Sequence, residues 1–347
     1  MKLAQQWEES AAKRVTEAQA RRVLSDIYED IHGDKLASPA VKDFATQWLA
    51  RKEKEVSKVS CAAYEGAVNE FVKFIGDKAD DPLHYVTPAQ VTAWRDKAAA
   101  KATARTANNK LKIVRVLFQS AWRDGILTDN PAAKVTALRT EAGTRRAFTL
   151  PELKRILANA STEWKGMILA GIYTGQRLKD IASLTWANID LAEEQITLTT
   201  SKTSRHQVIP IAKPLRAHIE ELPAGDNPAA PLFPSAYPLA TRAGGSAVLS
   251  QQFHGIMVAA GLVTAWPAKH IGKGKGRGAA RETSAISFHS LRHTATSLLK
   301  RAGVSEAVAR DLIGHESAEI SRHYTHIDED TKRKAIAKLP DIMAGKK

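Results

Sequence analysis

The sequence predicts a two-domain, mainly α protein: a helical N-terminal domain, then a mixed α+β domain with one small antiparallel hairpin. Three observations predict it. Residues 38–137 place apolar side chains at helical spacing between short polar breaks. Residues 195–211 switch to alternation around a polar turn. The length of 347 residues is more than one ordinary core accommodates.

The elements follow in order. Residues 9–32 read as an amphipathic helix, with Val23, Leu24, Ile27, Tyr28 and Ile31 in one stripe and Gly33 as its stop, so residues 1–37 form a helical extension. Ser38-Pro39 reads as a cap and first-turn proline for a helix carrying Val41, Phe44, Trp48 and Leu49. Ser60 reads as the cap of a second, with Tyr64, Val68, Phe71, Val72 and Ile75, closed by Gly76. Thr87-Pro88-Ala89-Gln90 has the spacing of a capping box. A fourth helix carries Leu111, Val114, Leu117, Phe118 and Trp122, then breaks at Gly125 and Asn130-Pro131. Residues 38–137 thus predict a small four-helix domain.

Residues 138–147 are polar and basic and read as a linker. The second domain, 148–347, opens with another capping box, Thr149 to Glu152. Gln195–Thr200 and His206–Ile211 form the hairpin, the first alternating Ile196 and Leu198 against polar residues, the second holding Val208 and Ile211. Residues 223–248, rich in Pro, Gly and Ala, read as loop, and Ser250–Ala260 as a helix with Phe253, Ile256 and Met257 inward. The run GKGKGRGAAR at 272–281 alternates glycine with cations, which cannot pack a core, and reads as a flexible basic loop. Lys273, Lys275 and Arg277 in it are candidate phosphate contacts. From His289 onward the pattern is helical, broken at Gly303 and Gly314.

Lys and Arg outnumber Asp and Glu by 51 to 37, a net charge of +14, which favours a polyanionic partner through counterion release. Hydrophobic residues at 44% exclude a disordered chain. A single cysteine, Cys61, excludes an internal disulfide and a cysteine-rich metal site, and suits a reducing cytosol. No apolar run approaches the roughly 20 residues of a bilayer span, and the first residues lack the apolar segment of a secretory signal. The expected location is the cytoplasm, with no membrane partner.

Breaking a phosphodiester without a metal needs a nucleophile, fixed positive charge on the nonbridging oxygens, a proton acceptor for the nucleophile and a proton donor for the leaving oxygen. Arginine suits the second task, because its planar fork binds phosphate and stays charged. Five short strings supply these residue types: Thr174-Gly175-Gln176-Arg177-Leu178-Lys179-Asp180; Ser201-Lys202-Thr203 in the hairpin turn; His289-Ser290-Leu291-Arg292; Leu312-Ile313-Gly314-His315; and Arg322-His323-Tyr324-Thr325-His326. His289 and His293 also have the spacing of a helical zinc pair. Between them, however, lies Arg292, whose charge would repel a metal, so neither a metal nor a cofactor is expected. His323 and His326 read as polar residues on a short exposed helix.

In this order the five strings resemble the catalytic signature of the tyrosine recombinases, the phage integrase family of lambda integrase and the Xer recombinases. Tyr324 follows His315 by nine residues, the family's usual gap. The resemblance is close over roughly 145–330. It is weaker over 38–137, where it implies a SAM-like core-binding domain. It implies catalytic roles for Arg177, Lys202, His289, Arg292 and His315, nucleophilic attack by Tyr324 to give a 3′-phosphotyrosine, and a supporting role for Asp180. His289 would accept the proton and Lys202 would donate one to the 5′-oxygen, without ATP. The implied partner is double-stranded DNA, gripped between the two domains, with four protomers on two sites and an accessory DNA-bending protein as a further partner; the implied role is integration or excision of a mobile element. The apolar end of the chain, Ile336 and Leu339, is expected to dock on a neighbouring protomer. Two rival readings use the same fold: a type IB topoisomerase, and a DNA-binding regulator without catalysis, which would be expected to lack a residue of the set. Two features depart from the family: the first 37 residues hold no alternating strands of an arm-binding domain, and the segment between hairpin and His289 is long.

Overall fold

The structure, a computed structural model, describes residues 38–140, 145–265, 284–314 and 329–343, together with parts of 23–31, which are helical. Two compact units meet in sequence near residue 142.

The N-terminal unit contains helices α1 (Val41–Glu55), α2 (Lys58–Ile75), α3 (Pro88–Lys101) and α4 (Ala104–Arg123), with two short 3-10 turns, Gly76–Asp80 and Leu83–Tyr85, between α2 and α3. Trp48, Phe71, Trp94 and Phe118 are fully buried. Phe71 meets Trp94 and Phe118 edge-on at centroid distances of 5.4 and 5.7 Å, the geometry that aromatic quadrupoles favour. The Thr87 capping box forms as predicted: Gln90 N donates to Thr87 Oγ1 at 3.3 Å and Thr87 N to Gln90 Oε1 at 2.8 Å.

Three local expectations are corrected. Ser38-Pro39 does not start α1; Ala40 is its N-cap, and the Pro39 carbonyl accepts from Leu83 N at 3.0 Å, so this dipeptide is extended chain tied to the second turn. Ser57, not Ser60, caps α2, accepting from Ser60 N at 3.3 Å. Two serines three apart both look like caps in sequence, and the first one wins because the helix begins at Lys58. Trp122 is exposed rather than part of the inward stripe. Beyond α4 the chain doubles back. Asn130 Oδ1 accepts from Ala132 N and Ala133 N, its Nδ2 donates to Arg115 O, and Asn108 pairs with both backbone groups of Leu138 at 2.8 Å.

The second unit begins where Arg146 N donates to Ala285 O at 3.0 Å and its guanidinium grips Glu152 with bonds of 2.8 and 2.6 Å. Its helices are α5 (Leu150–Ala158), α6 (Thr162–Thr174), α7 (Leu178–Ala182), α8 (Lys213–Glu220), α9 (Tyr237–Thr241), α10 (Gly245–Ala259), α11 (Phe288–Arg301), α12 (Glu306–Ile313) and α13 (Glu329–Ala337). Residues Gly166 to Thr174 of α6 are all buried, which makes this helix the axis of the core. Its main neighbour is α11.

The hairpin gains an unpredicted third strand. β1 (Ile189–Asp190), β2 (Gln195–Thr199) and β3 (His206–Pro210) form one antiparallel sheet in that order, with Ile189 opposite Ile196 and Ile196 opposite Ile209. Ile196 and Leu198 face inward as expected. On β3 the inward set is Gln207, Ile209 and, just beyond, Ile211. Val208 faces the other way, since a strand's faces alternate with period 2. Residues 223–248 are not all loop: Pro238 sits in the first turn of α9 and α10 starts at Gly245, ahead of the predicted Ser250. The end of the chain is also corrected. Ile336, Leu339 and Ile342 are buried in this unit's own core rather than offered to a neighbour. The buried Tyr173 hydroxyl, pushed up to about 12 by desolvation, donates to Pro340 O at 2.9 Å and accepts from Ile342 N at 3.3 Å.

Candidate active site

The site is built on the ends of three helices. α6 stops at Gly175, which takes the left-handed conformation, φ 66°, and ends the helix. A Cβ at this position would lie 3.0 and 3.1 Å from the γ-carbons of Ile313, so the end of α12 packs directly on the glycine backbone. Arg177 then caps α7 in an extended conformation, and Asp180 lies in the first turn of that helix.

α12 also ends on a left-handed glycine, Gly314, and its last carbonyls are taken up by side chains from three other elements. Gln207 Nε2 of β3 donates to Asp311 O at 3.0 Å. Buried Gln176 Nε2 reaches Leu312 O and Ile313 O at 3.4 and 3.5 Å. Arg292 Nη2 of α11 donates to Gly314 O at 2.9 Å, and its Nη1 to Gly175 O at 2.8 Å. A helix C-terminus left alone has orphan carbonyls. Here their satisfaction fixes the backbone that leads straight into His315.

Arg292 is therefore locked between the ends of α6 and α12. It is 4% exposed, and burial, reinforced by the nearby Arg177 charge and opposed by Asp180, pulls its pKa down to about 10, so it stays a cation near neutrality. Asp180 is buried as well. Its Oδ1 accepts from Ser201 N at 2.9 Å, and its Oδ2 lies 3.9 Å from Arg177 Nη1. One carboxylate thus links the first string to the turn that carries Lys202. That turn is stiffened by Thr200, whose N donates to Arg205 O at 2.9 Å and whose hydroxyl bonds the Thr203 hydroxyl at 2.8 Å. Lys202 itself is exposed.

His289 sits one turn before Arg292 on α11, open to solvent on one side. The protein on its other side, with His293, Arg145, Arg292 and Arg177, pushes its pKa down to about 4. The ring is neutral at physiological pH and able to accept a proton. His293 packs edge-on against it, centroids 5.0 Å apart. His315 and Tyr324, with Arg322, His323 and His326, lie outside the described residues, as do Lys273, Lys275 and Arg277.

The sequence alone assigns no role to three residues of this framework: Gln176, Gln207 and Asp311. For Gln207 a signal existed, since it shares the inward register with Ile209. Gln176 stands in the variable place of the first string, and nothing local marks it.

A buried guanidinium with a second arginine and a neutral imidazole close enough to feel each other's charge suits a phosphate group, the arrangement of proteins that act on phosphodiesters. The chain belongs to the phage integrase family, the tyrosine recombinases: residues 146–331 match that family and residues 46–125 match the SAM-like N-terminal domain of phage integrases. It is 25% identical over 297 residues to the tyrosine recombinase XerC of Bacillus pumilus, covering 81% of this chain and 90% of that one. The IntQ protein of Escherichia coli K12, named as defective, is 24% identical over 206 residues, about half of either chain, at 52% of each. Among solved structures, a lambda integrase (75–356) dimer bound to a COC′ core site aligns with a TM-score of 0.60 at 18% identity, over 83% of this chain and 98% of that one. The Tn1549 transposon integrase in complex with circular intermediate DNA aligns at 0.58 and 18% identity, over 86% and 99%. These likenesses carry the two-domain fold. Among the described residues no helix is long and apolar enough to cross a membrane.

Proposed function

We propose that this chain integrates or excises a mobile element by cutting and rejoining duplex DNA at a specific site. Arg177, Arg292 and His315 hold the scissile phosphate. Tyr324 Oη attacks phosphorus while His289 takes its proton. The bond to the 5′-oxygen breaks, and Lys202 protonates that oxygen. The products are a 3′-phosphotyrosine and a free 5′-hydroxyl, and reversal on a partner strand rejoins the DNA without ATP. Asp180 orients Arg177 and the Lys202 turn. Four protomers act on two DNA sites in a cytoplasmic, nucleoid-associated complex, with an accessory DNA-bending protein as a further partner. The lambda integrase tetramer bound to a Holliday junction, which aligns at a TM-score of 0.60 and 16% identity, motivates that assembly.

The observation that carries this reading is Arg292, buried between the carbonyls of Gly175 and Gly314, the two positions that lead into Arg177 and His315. Such a framework preorganises charge where a pentacoordinate phosphorus would develop it. The test is covalent trapping. Wild-type protein incubated with fragmented genomic DNA should yield protein–DNA adducts whose sequencing gives the crossover site, and Tyr324→Phe should bind the same DNA and yield none. An adduct surviving in Tyr324→Phe would assign the attack to another residue. Relaxation of supercoiled DNA without joining of two sites would favour the topoisomerase reading.

A further inference from the structure

Outside the residues given a role above, one carboxylate touches two elements of the site at once. Asp311 lies on α12 and is largely shielded, its side chain 18% exposed. Its Oδ1 pairs with Arg205, at the foot of the turn that carries Lys202. Its Oδ2 is 2.8 Å from Lys332 Nζ on α13, the element that follows the Tyr324 segment in the chain. Asp311 itself stands four positions before His315 in the chain. Arg205 and Lys332 are also mostly covered, with side chains 29% and 17% exposed.

We infer that Asp311 is a positioning residue for strand cleavage, a clamp that ties the turn carrying Lys202 and helix α13, which follows Tyr324 in the chain, to α12, which precedes His315. The inference rests on the roles proposed above for those three residues. The geometry favours it over a merely stabilising ion pair. Each carboxylate oxygen takes one cation, the two cations come from different elements, and each of those elements adjoins a different string of the signature. Asp180 anchors the Lys202 turn from one side, through Ser201, while Asp311 anchors it from the other, through Arg205. A turn held at one end only can rock about that point. Misplacing a reacting group by about 1 Å costs on the order of a hundredfold in rate.

The two arms make different predictions. The probe is a suicide duplex bearing the chain's own crossover site, made with ordinary phosphate and with sulfur as the bridging 5′-atom, whose departure needs little protonation. Single-turnover adduct formation is measured with DNA saturating, alongside DNA affinity and thermal melting. Arg205→Gln should cleave the ordinary duplex about a hundredfold more slowly and regain most of its rate on sulfur, as Lys202→Ala should. Lys332→Gln should be slow on both substrates, because its arm acts through the nucleophile. Asp311→Asn should recover only in part, and Arg205→Lys, which keeps the charge, should retain much of the rate. Should Asp311→Asn fail to fold, the two single-arm variants, each keeping one ion pair, still decide. Normal rates in both, or equal loss on both substrates for Arg205→Gln while Lys202→Ala recovers, would overturn the clamp. Failure of Lys202→Ala itself to recover would instead overturn the proposed role of Lys202, and the hairpin arm with it.

Discussion

Gly175→Ala tests whether the close approach of α12 to the end of α6 holds the site together. The new Cβ meets two obstacles. The backbone at φ 66° is left-handed, which costs an L-residue about 1–2 kcal/mol. The methyl then lies 3.0 to 3.4 Å from three carbons of Ile313, a side chain only 1% exposed that has nowhere to retreat. Overpacking of this kind costs about 1–3 kcal/mol, for a total of about 2–5 kcal/mol. Gly303→Ala is the internal control. It lies in the same unit at φ 69° with nothing within 4 Å, so it should show the backbone cost alone, about 1–2 kcal/mol. Urea unfolding of both variants, followed by near-ultraviolet circular dichroism, gives the difference. Because Arg292 bonds Gly175 O and Gly314 O together, pushing the helix ends apart should also suppress covalent adduct formation in Gly175→Ala and spare it in Gly303→Ala. Equal destabilisation by the two substitutions, with full adduct formation in Gly175→Ala, would refute the reasoning.

Two further outcomes are expected. His289 should stay neutral in the DNA-free protein down to about pH 5 and titrate near 4 rather than at the ordinary 6.5. Between 6.5 and 4 the unfolded chain binds a proton that the folded ring refuses, so this group's contribution to stability is intact above 6.5 and lost as pH falls through 4. A histidine NMR titration checks it, and a midpoint near 6.5 would show that burial and the neighbouring cations do not depress this ring. Replacing Lys273, Lys275 and Arg277 with Ala should weaken binding to all DNA sequences alike and flatten the salt dependence by up to roughly 0.9 per lost phosphate contact. An unchanged slope would mean that these cations face solvent.

Much of the helical framework was legible because it rests on local rules. Both capping boxes, the apolar stripe of α2, that of α4 up to Phe118, and the glycine stops at Gly76, Gly125, Gly303 and Gly314 follow from residues within a few positions of each other. Misreadings came where local rules were ambiguous or silent. Ser57 and Ser60 satisfy the same capping pattern. Pro238 looks like a loop residue yet occupies the first turn of a helix. β1, at two residues, is too short for alternation to show. Ile336 and Leu339, apolar and near the end of the sequence, look like an adhesive tail, and only the three-dimensional core explains them. Within the candidate site the five strings stand out as strings, whereas Gln176, Gln207 and Asp311 matter only through backbone or cations far away in sequence.

That remoteness sets the order in which the molecule can assemble. Side-chain bonds within the N-terminal unit join residues 20 to 73 positions apart, as in Arg115–Val135, Lys110–Glu70 and Arg51–Asp124. In the second unit short bonds such as Asp180–Ser201, 21 apart, stand beside others that join residues 117, 136 and 167 apart, as in Arg292–Gly175, Gln176–Leu312 and Tyr173–Pro340. Closing long loops costs more entropy and slows folding, so the helical unit can be complete while the second is still searching. A half-folded molecule therefore has its SAM-like unit in place and its cutting machinery unassembled.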